Sequence, residues 1–477
     1  MSTPQLADFI KAYDVRGLYP EQLNETVSAA LGAAFAQVVV LPEGAKSMVV
    51  GHDMRESSPL LSEAFAAGAA DQGVDVTMIG LTSTDGLYFA SGSMDLAGAM
   101  FTASHNPAAY NGIKLCRPGA RPVSLDTGLA EVRDLAQWLL ERGSMHSLPT
   151  SGDKGTLRHT DVMGDYAAHL HSLVDLRGGR PLRVVVDAGN GMAGHTVPHV
   201  LGEDLPVEVI PLYFELDGTF PNHEANPLDP ANVVDLQKAV LEHSADAGLA
   251  FDGDADRCFV IDERGEVVSA STITALVADR EIARAVAAGT PASEVAVVHN
   301  LISSRSVPET ILTAGARPVR TRVGHSYIKA EMAQHNAIFG GEHSGHYYFR
   351  DFWFADTGML AGMHVLAALA ASSEPLSALL ARYDKYEASG EINSGVADVS
   401  ETLARVTDWA AEAGLEGENF DGLIVDSAPG ATVWWASVRP SNTEPFVRLN
   451  VEAADTATME QVRDEILQVI RMGTVSS

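Results

Sequence analysis

The sequence predicts an α/β protein made of three similar units, followed by a C-terminal α+β unit. Three observations predict it. First, a short β-branched run that ends in a small polar turn and leads into a helix-like stretch occurs three times. It occurs at Met48-Val49-Val50-Gly51-His52-Asp53, at Val184-Val185-Val186-Asp187-Ala188-Gly189-Asn190, and at Val295-Ala296-Val297-Val298-His299-Asn300. Continuous apolar runs of this kind suit strands buried on both faces, and strands alternating with helices make α/β units. Second, these runs lie more than a hundred residues apart in a chain of 477. At roughly 100–200 residues per domain that length holds about three or four domains. Third, the last hundred residues change character. Thr432 to Val438 and Phe446 to Ala453 read as two strands around a polar loop, and Asp455 to Met472 as a closing amphipathic helix with an acidic residue at its start.

In chain order, the expected units are 1–150, 151–263, 264–372 and 373–477, with joints near Leu148–Asp153, Asp262–Gly265 and Ser372–Leu376. The segment from Asp217 to Pro230, rich in Pro, Asn and Asp, reads as a long loop.

Composition narrows the function. Apolar residues make up 46% of the chain, enough for several cores. The net charge is -31, with 63 acidic residues against 32 basic ones and no Lys/Arg run. This argues against nucleic acid and anionic membrane as partners. Cationic groups focused in a cleft can still bind an anionic small molecule. The two cysteines, Cys116 and Cys258, make neither a disulfide framework nor a zinc site. The apolar run Met359 to Ala371 is too short to span a bilayer, and Met1 to Ile10 has no secretory pattern. A cytoplasmic protein is expected.

Four polar clusters carry the chemistry. In Thr102-Ala103-Ser104-His105-Asn106-Pro107, small neighbours leave the Ser104 hydroxyl uncrowded and Asn106-Pro107 turns the chain. Lys114 follows closely, and a serine nucleophile needs such a base or positive field. A hydrolase elbow would place Gly two residues either side of the serine, where this chain has Thr102 and Asn106.

Asp252-Gly253-Asp254-Ala255-Asp256-Arg257 sets three carboxylates at alternate positions, which in a tight loop converge on a hard cation. A calcium loop of the EF-hand type would use the same three, with Glu263 at its last position, but Arg257 stands where that loop needs Gly. In Gly340-Gly341-Glu342-His343-Ser344-Gly345-His346, glycines bring backbone close to a ligand, and Glu342 and Ser344 suit sugar hydroxyls. Upstream lie Gly324, His325, a residue type suited to proton transfer, and Lys329. Finally, Arg439 and Arg448 bracket Ser441, Asn442 and Thr443, a set suited to a phosphate dianion. The first, third and fourth clusters alone also read as ordinary polar turns, whereas the three carboxylates of the second would repel one another without a cation. Together the four make a phosphoryl-transfer site for a phosphorylated polyol.

With these motifs, and with Tyr13-Asp14-Val15-Arg16-Gly17, Phe220–His223 and Gly390–Asn393, nearly the whole chain resembles the α-D-phosphohexomutase superfamily, bacterial phosphomannomutase/phosphoglucomutase type. The resemblance implies four domains around a central cleft, each giving one loop. It implies phosphoserine at Ser104 and Mg2+ held by Asp252, Asp254 and Asp256 against that phosphate. Glu342 and Ser344 would contact the 3- and 4-hydroxyls of the sugar. Arg439, Ser441, Asn442, Thr443 and Arg448 would grip the phosphate that is not reacting. Arg16, His105, Lys114, Arg257, His325 and Lys329, with Gly324, would surround the reacting centre.

The implied reaction passes through an enzyme-bound hexose 1,6-bisphosphate that turns over in the cleft, with the final domain moving around residues 370–376. His343 and Asn442 stand where phosphoglucosamine mutases typically carry other residues. Mannose phosphates, with glucose phosphates beside them, are the expected substrates, and phosphoglucomutase, phosphoglucosamine mutase and a sugar-phosphate sensor are the alternatives. A monomer or homodimer is expected.

Overall fold

The computed structural model describes residues 4–143, 152–202, 204–441 and 446–472, with the side chains of His325 and Ser326 excepted. Four sheets organise the chain. In the first, the parallel strands Asp75–Leu81, Ser47–His52 and Ala97–Phe101 are continued by antiparallel Tyr110–Arg117 and Val15–Leu18. The second repeats the pattern, with Val207–Leu212, Leu182–Asp187 and Ala247–Phe251 parallel and Cys258–Ile261 turning back. The third does so again with Arg317–Thr321, Ala296–Asn300 and Phe339–Gly341, followed by antiparallel Tyr347–Phe349. The three apolar runs of the sequence are thus central strands. In the fourth sheet all pairings are antiparallel, including Trp434–Pro440 with Phe446–Ala453. The closing helix is Thr456–Arg471, and the Asp455 side chain accepts from Thr458 N at its start.

This repeat decides where the chemistry goes. In each of the first three sheets, the chain leaves the last parallel strand and reverses into the first antiparallel one. Those reversals are residues 102–109, 252–257 and 342–346. Loops at the carboxyl ends of parallel strands are where α/β sheets bind ligands.

Each expected boundary falls too early. Leu157–His159 pairs with Asp75–Leu81 and so extends the first sheet past residue 150. The turn at Asp262–Gly265 is a hairpin inside the second sheet: Cys258–Ile261 pairs with Val267–Val268, and Asp262 Oδ1 accepts from the backbone of Arg264 and Glu266. Its polar residues read as a linker only because a tight hairpin uses the same residue types. Past residue 372, Leu376, Leu380 and Tyr383 still bury into the core of the third unit. Part of the joint expected at Leu148–Asp153 lies outside the described residues.

One apolar core runs through the first three units, whereas the fourth keeps its own, joined to the third by a small cluster of Leu301, Ile424 and Trp435. The helix Glu25–Phe35 continues as a helical stretch to Glu43. Glu25–Glu43 is the one helix among the described residues long and apolar enough to cross a membrane, and 61% of its apolar window is buried inside the protein. It crosses Ser58–Ala70 at Gly32 and Gly68, where a Cβ would stand 2.0 Å from Phe65 O and Ala29 O respectively. Only glycine permits that approach.

Candidate active site

The loop that carries Ser104 joins Ala97–Phe101 to Tyr110–Arg117. Ser104 has φ 49°, a left-handed conformation rare for a residue with a Cβ. Two contacts hold it: Ser104 N donates to Thr102 Oγ1 (2.9 Å), and the buried Arg55 guanidinium donates to the carbonyls of Ser104 (2.8 Å), Asn106 (2.6 Å), Pro107 (3.0 Å) and Tyr110 (2.9 Å). The Ser104 hydroxyl donates to Asp252 Oδ2 (2.7 Å) and lies 3.1 Å from His105 Nδ1. Ser104 of the first unit therefore touches the acidic loop of the second.

That loop is buried throughout, and oxygens of Asp252, Asp254 and Asp256 lie within 4.8 Å of one another. The Lys114 ammonium donates to Asp254 Oδ2 (2.7 Å) and Asp256 Oδ2 (2.6 Å), while Thr84 Oγ1 donates to Asp254 Oδ2 (2.5 Å). The Oδ1 atoms of Asp254 and Asp256 are buried without a hydrogen bond. Three converging carboxylates with orphaned acceptors fit a hard dication such as Mg2+. Glu263, the last ligand a calcium loop would need, instead accepts from Ser377 N (3.0 Å) and Oγ (2.5 Å), and the flanks are strands. That excludes the EF-hand arrangement.

Burial pushes Asp252 up to about 6, against the pull of Arg257. Burial also opposes ionisation of Asp254 and Asp256, yet Lys114 keeps both below the usual carboxylate range. Burial disfavours charge on Lys114 too, and the two carboxylates more than reverse it. Arg257 is buried, donates to Asp252 Oδ2 (2.9 Å), and also donates to His105 Nδ1. Burial, with Arg257 and Arg16 beside it, pushes His105 down to about 3, so its imidazole is neutral.

Glu342 is buried in the third loop, where it accepts from Tyr348 Oη (2.7 Å) and Gly324 N (3.3 Å). Ser344 Oγ faces His346 Nδ1 at 3.1 Å. His346 Nε2 is 3.5 Å from Asp256 Oδ1 and 3.9 Å from Asp356 Oδ2. Burial opposes protonation of His346, but Asp256 raises its pKa above the ordinary histidine value. Lys329 pairs with Asp356 at 2.7 Å and sits 4.5 Å over the Tyr88 ring. A pocket of about 110 Å³ is lined by Arg16, Ser104, His105, Lys114, Arg257 and Lys329, among others. Arg16 reaches it between Asp14 Oδ2 (2.8 Å) and Asn106 Oδ1 (2.5 Å).

The fourth cluster lies outside this pocket. Arg439 and Arg448 face each other across paired strands, and both donate to the Glu391 carboxylate, Arg448 at 3.1 Å. Arg448 also reaches Ser441 Oγ at 3.4 Å. Two guanidiniums converging on one carboxylate are a donor set that also suits a phosphate oxyanion. Asn442, Thr443 and the His325 side chain lie outside the described residues.

Sequence reasoning missed Arg55, Thr84, Asp356 and Glu391, and left His346 without a role. His346 had a signal, two positions after Ser344 in the same glycine-bounded loop. Arg55 had a weaker one, two residues past the first polar turn.

Comparison with known proteins agrees along the whole chain. Profiles described as "Phosphoglucomutase/phosphomannomutase" match residues 8–137, 164–265 and 271–386 as alpha/beta/alpha domains I, II and III, and residues 391–469 as the C-terminal domain. A "Phosphomannomutase" of Salmonella montevideo is 38% identical over 467 residues, covering 96% of this chain and 98% of the relative. "Phosphohexose mutases" of Xanthomonas campestris pv. campestris is 40% identical over 466 residues, covering 97% and 98%. Among solved structures, a phosphoglucomutase/phosphomannomutase family protein from Burkholderia thailandensis superposes with a TM-score of 0.83 at 28% identity, covering 97% of each chain.

Proposed function

The chain belongs to the phosphoglucomutase/phosphomannomutase family, and on that premise we propose that it interconverts mannose 6-phosphate and mannose 1-phosphate, accepting glucose phosphates as well. It is a phosphohexomutase, an isomerase that works by phosphoryl transfer. The observation that carries the mechanism is the 2.7 Å contact between Ser104 Oγ and Asp252 Oδ2, which sets a nucleophile against an acidic loop from another domain.

Ser104, once phosphorylated, gives its phosphoryl group to the free 1- or 6-hydroxyl of a hexose monophosphate. The P–O bond to Ser104 breaks as the P–O bond to the sugar forms. The proton lost by the sugar hydroxyl is balanced by the one Ser104 Oγ regains. His346, whose protonation Asp256 favours, is the group suited to carry these protons, while neutral His105, 3.1 Å from Ser104 Oγ, orients the hydroxyl. Lys114, Arg257 and Arg16 neutralise charge on the transferring group. Asp252, Asp254 and Asp256 would hold Mg2+, which supplies further neutralisation of the phosphoryl oxygens. Glu342 and Ser344 orient the sugar hydroxyls, and Lys329 and Gly324 stand beside them. Arg439, Ser441, Asn442, Thr443 and Arg448 hold the other phosphate. The bisphosphate then turns over and returns its second phosphate to Ser104. The separate core of the fourth domain suits the motion this needs.

Mannose is favoured over glucosamine by the names of the relatives and by His343 and Asn442. The test is a coupled assay with Mg2+ and a trace of glucose 1,6-bisphosphate, offering mannose, glucose and glucosamine 1-phosphates in parallel. Preference for mannose 1-phosphate supports the reading. Preference for glucosamine 1-phosphate keeps the mechanism and overturns the substrate.

A further inference from the structure

We propose that Asp85 is a positioning residue: its buried carboxylate ties the helix Thr84–Met94 of domain I to domains II and III at once, and so holds Thr84 against Asp254 of the acidic loop. The proposal rests on the functional reading only in taking that loop as the metal site.

Asp85 is 1% exposed, and the groups that donate to it are all hydroxyls. Ser83 of domain I donates to Oδ1. Oδ2 accepts from Tyr166 Oη, on the domain II helix Met163–Leu173, and from Thr357 Oγ1 of domain III, each at 2.7 Å. A buried carboxylate without a cation is costly. Here the two inter-domain hydroxyls share Oδ2 while Oδ1 faces Ser83, and the three donors offset part of that cost. The titratable groups facing it are Tyr166, raised well above the ordinary tyrosine value chiefly by burial, and Asp256, which adds to burial in disfavouring the Asp85 charge.

Packing around the carboxylate follows the same three-way plan. Phe89 meets Tyr166 (6.0 Å) and Trp353 (6.1 Å) edge-on, and His169 stacks on Trp353 at 5.0 Å. Gly92 leaves no room for a Cβ beneath Trp353, 2.1 Å away. The helix is therefore wedged between domains II and III.

The consequence reaches the cleft through adjacent residues. Thr84, next to Asp85, donates from N to Asp254 O (3.0 Å) and from Oγ1 to Asp254 Oδ2 (2.5 Å). Thr357, on the other side, follows Asp356, the partner of Lys329. One carboxylate thus stands a single residue from two walls of the site, and without it the Thr84 clamp on Asp254 loses its anchor.

The test uses Mn2+ as the probe, titrated calorimetrically into the full, metal-stripped chain, with hydrogen exchange at the Thr84 amide as a second readout. Asp85→Ala is expected to weaken Mn2+ binding tenfold or more and to speed Thr84 exchange at least tenfold. Asp85→Asn recovers part of both. Tyr166→Phe, which removes one hydroxyl, carries the test if Asp85→Ala fails to fold, with an expected threefold weakening. Glu281→Gln, buried elsewhere in domain III, serves as the control for general destabilisation. Mn2+ affinity within twofold of the unmodified chain in the folded variants overturns the proposal. So does an equal loss in Glu281→Gln, or no Mn2+ binding by the unmodified chain. Mn2+ binding without sugar-phosphate turnover sinks the functional reading alone. Turnover with an affinity indifferent to Asp85 sinks this proposal alone.

Discussion

The guanidinium of Arg55 donates to the main-chain carbonyl of Ser104 at 2.8 Å, and through three further carbonyls it grips the whole reversal that carries this serine. Its own charge is met by Asp53 at 3.3 Å, buried beside it. The left-handed backbone at Ser104 costs free energy that this clamp offsets. Arg55→Met leaves four carbonyls and one carboxylate short of a partner. Breaking a buried pair from one side costs about 3–5 kcal/mol. Denaturant unfolding should show a loss of that size, and phosphorylation of Ser104 by glucose 1,6-bisphosphate, followed by intact mass, should slow at least tenfold.

Lys114 is the counter-charge of the acidic loop before any metal arrives, at 2.7 and 2.6 Å from Asp254 and Asp256. Lys114→Met leaves those carboxylates facing each other. The metal-free variant should melt well below the unmodified protein. Mg2+ should raise its melting temperature by more than it raises that of the unmodified chain, because in the variant the ion alone supplies the positive charge. Equal Mg2+ shifts in the two proteins would count against the assignment of the metal loop.

Asp85 makes stability depend on pH. Burial pushes its carboxyl up to about 6, above the unfolded value. Between about pH 4 and pH 6 the folded chain therefore holds a proton that the unfolded chain has lost. Asp85 thus lowers stability as pH rises through that window, by on the order of 2–3 kcal/mol in all. Asn cannot ionise. The stability of Asp85→Asn relative to the unmodified protein should climb across this range and level off above it. A difference that stays flat from pH 4 to pH 7 would show that Asp85 ionises normally.

Two glycines give opposite outcomes. A Cβ on Gly32 would stand 2.0 Å from Phe65 O, so Gly32→Ala must push two helices apart, at a cost of about 3 kcal/mol. Gly164, inside the helix Met163–Leu173, has no atom near its would-be Cβ, and Gly164→Ala should stabilise by about 0.5–1 kcal/mol. Thermal melts of the pair read both signs.

The loops at 102–109, 252–257 and 342–346 were legible because each is a run of consecutive residues whose chemistry is local. Asp252, Asp254 and Asp256 advertise a cation by their spacing, and Ser104 a nucleophile by its small neighbours. The parallel strands were legible for the same reason, as continuous apolar runs. Arg55, Thr84, Asp85 and Glu391 were not, because their partners come from packing between distant segments: Asp85 meets Thr357 across 272 positions, and Arg439 meets Glu391 across 48. The exact ends of the units were harder to read for a related reason. Asp262–Gly265 has the composition of a linker, and only the pairing of its flanking strands shows it to be a hairpin.

The proposed function requires Ser104 to carry the phosphoryl group between the two sugar oxygens. The direct measurement is turnover of mannose 1-phosphate to mannose 6-phosphate by the purified protein with Mg2+, set beside Ser104→Ala under identical conditions. The account predicts clear turnover in the unmodified protein, with one phosphate on Ser104 by mass, and a loss of at least about a thousandfold in the variant, the scale of removing an acting nucleophile. Retained turnover in Ser104→Ala, or none by the unmodified protein on mannose, glucose or glucosamine phosphates, would contradict it.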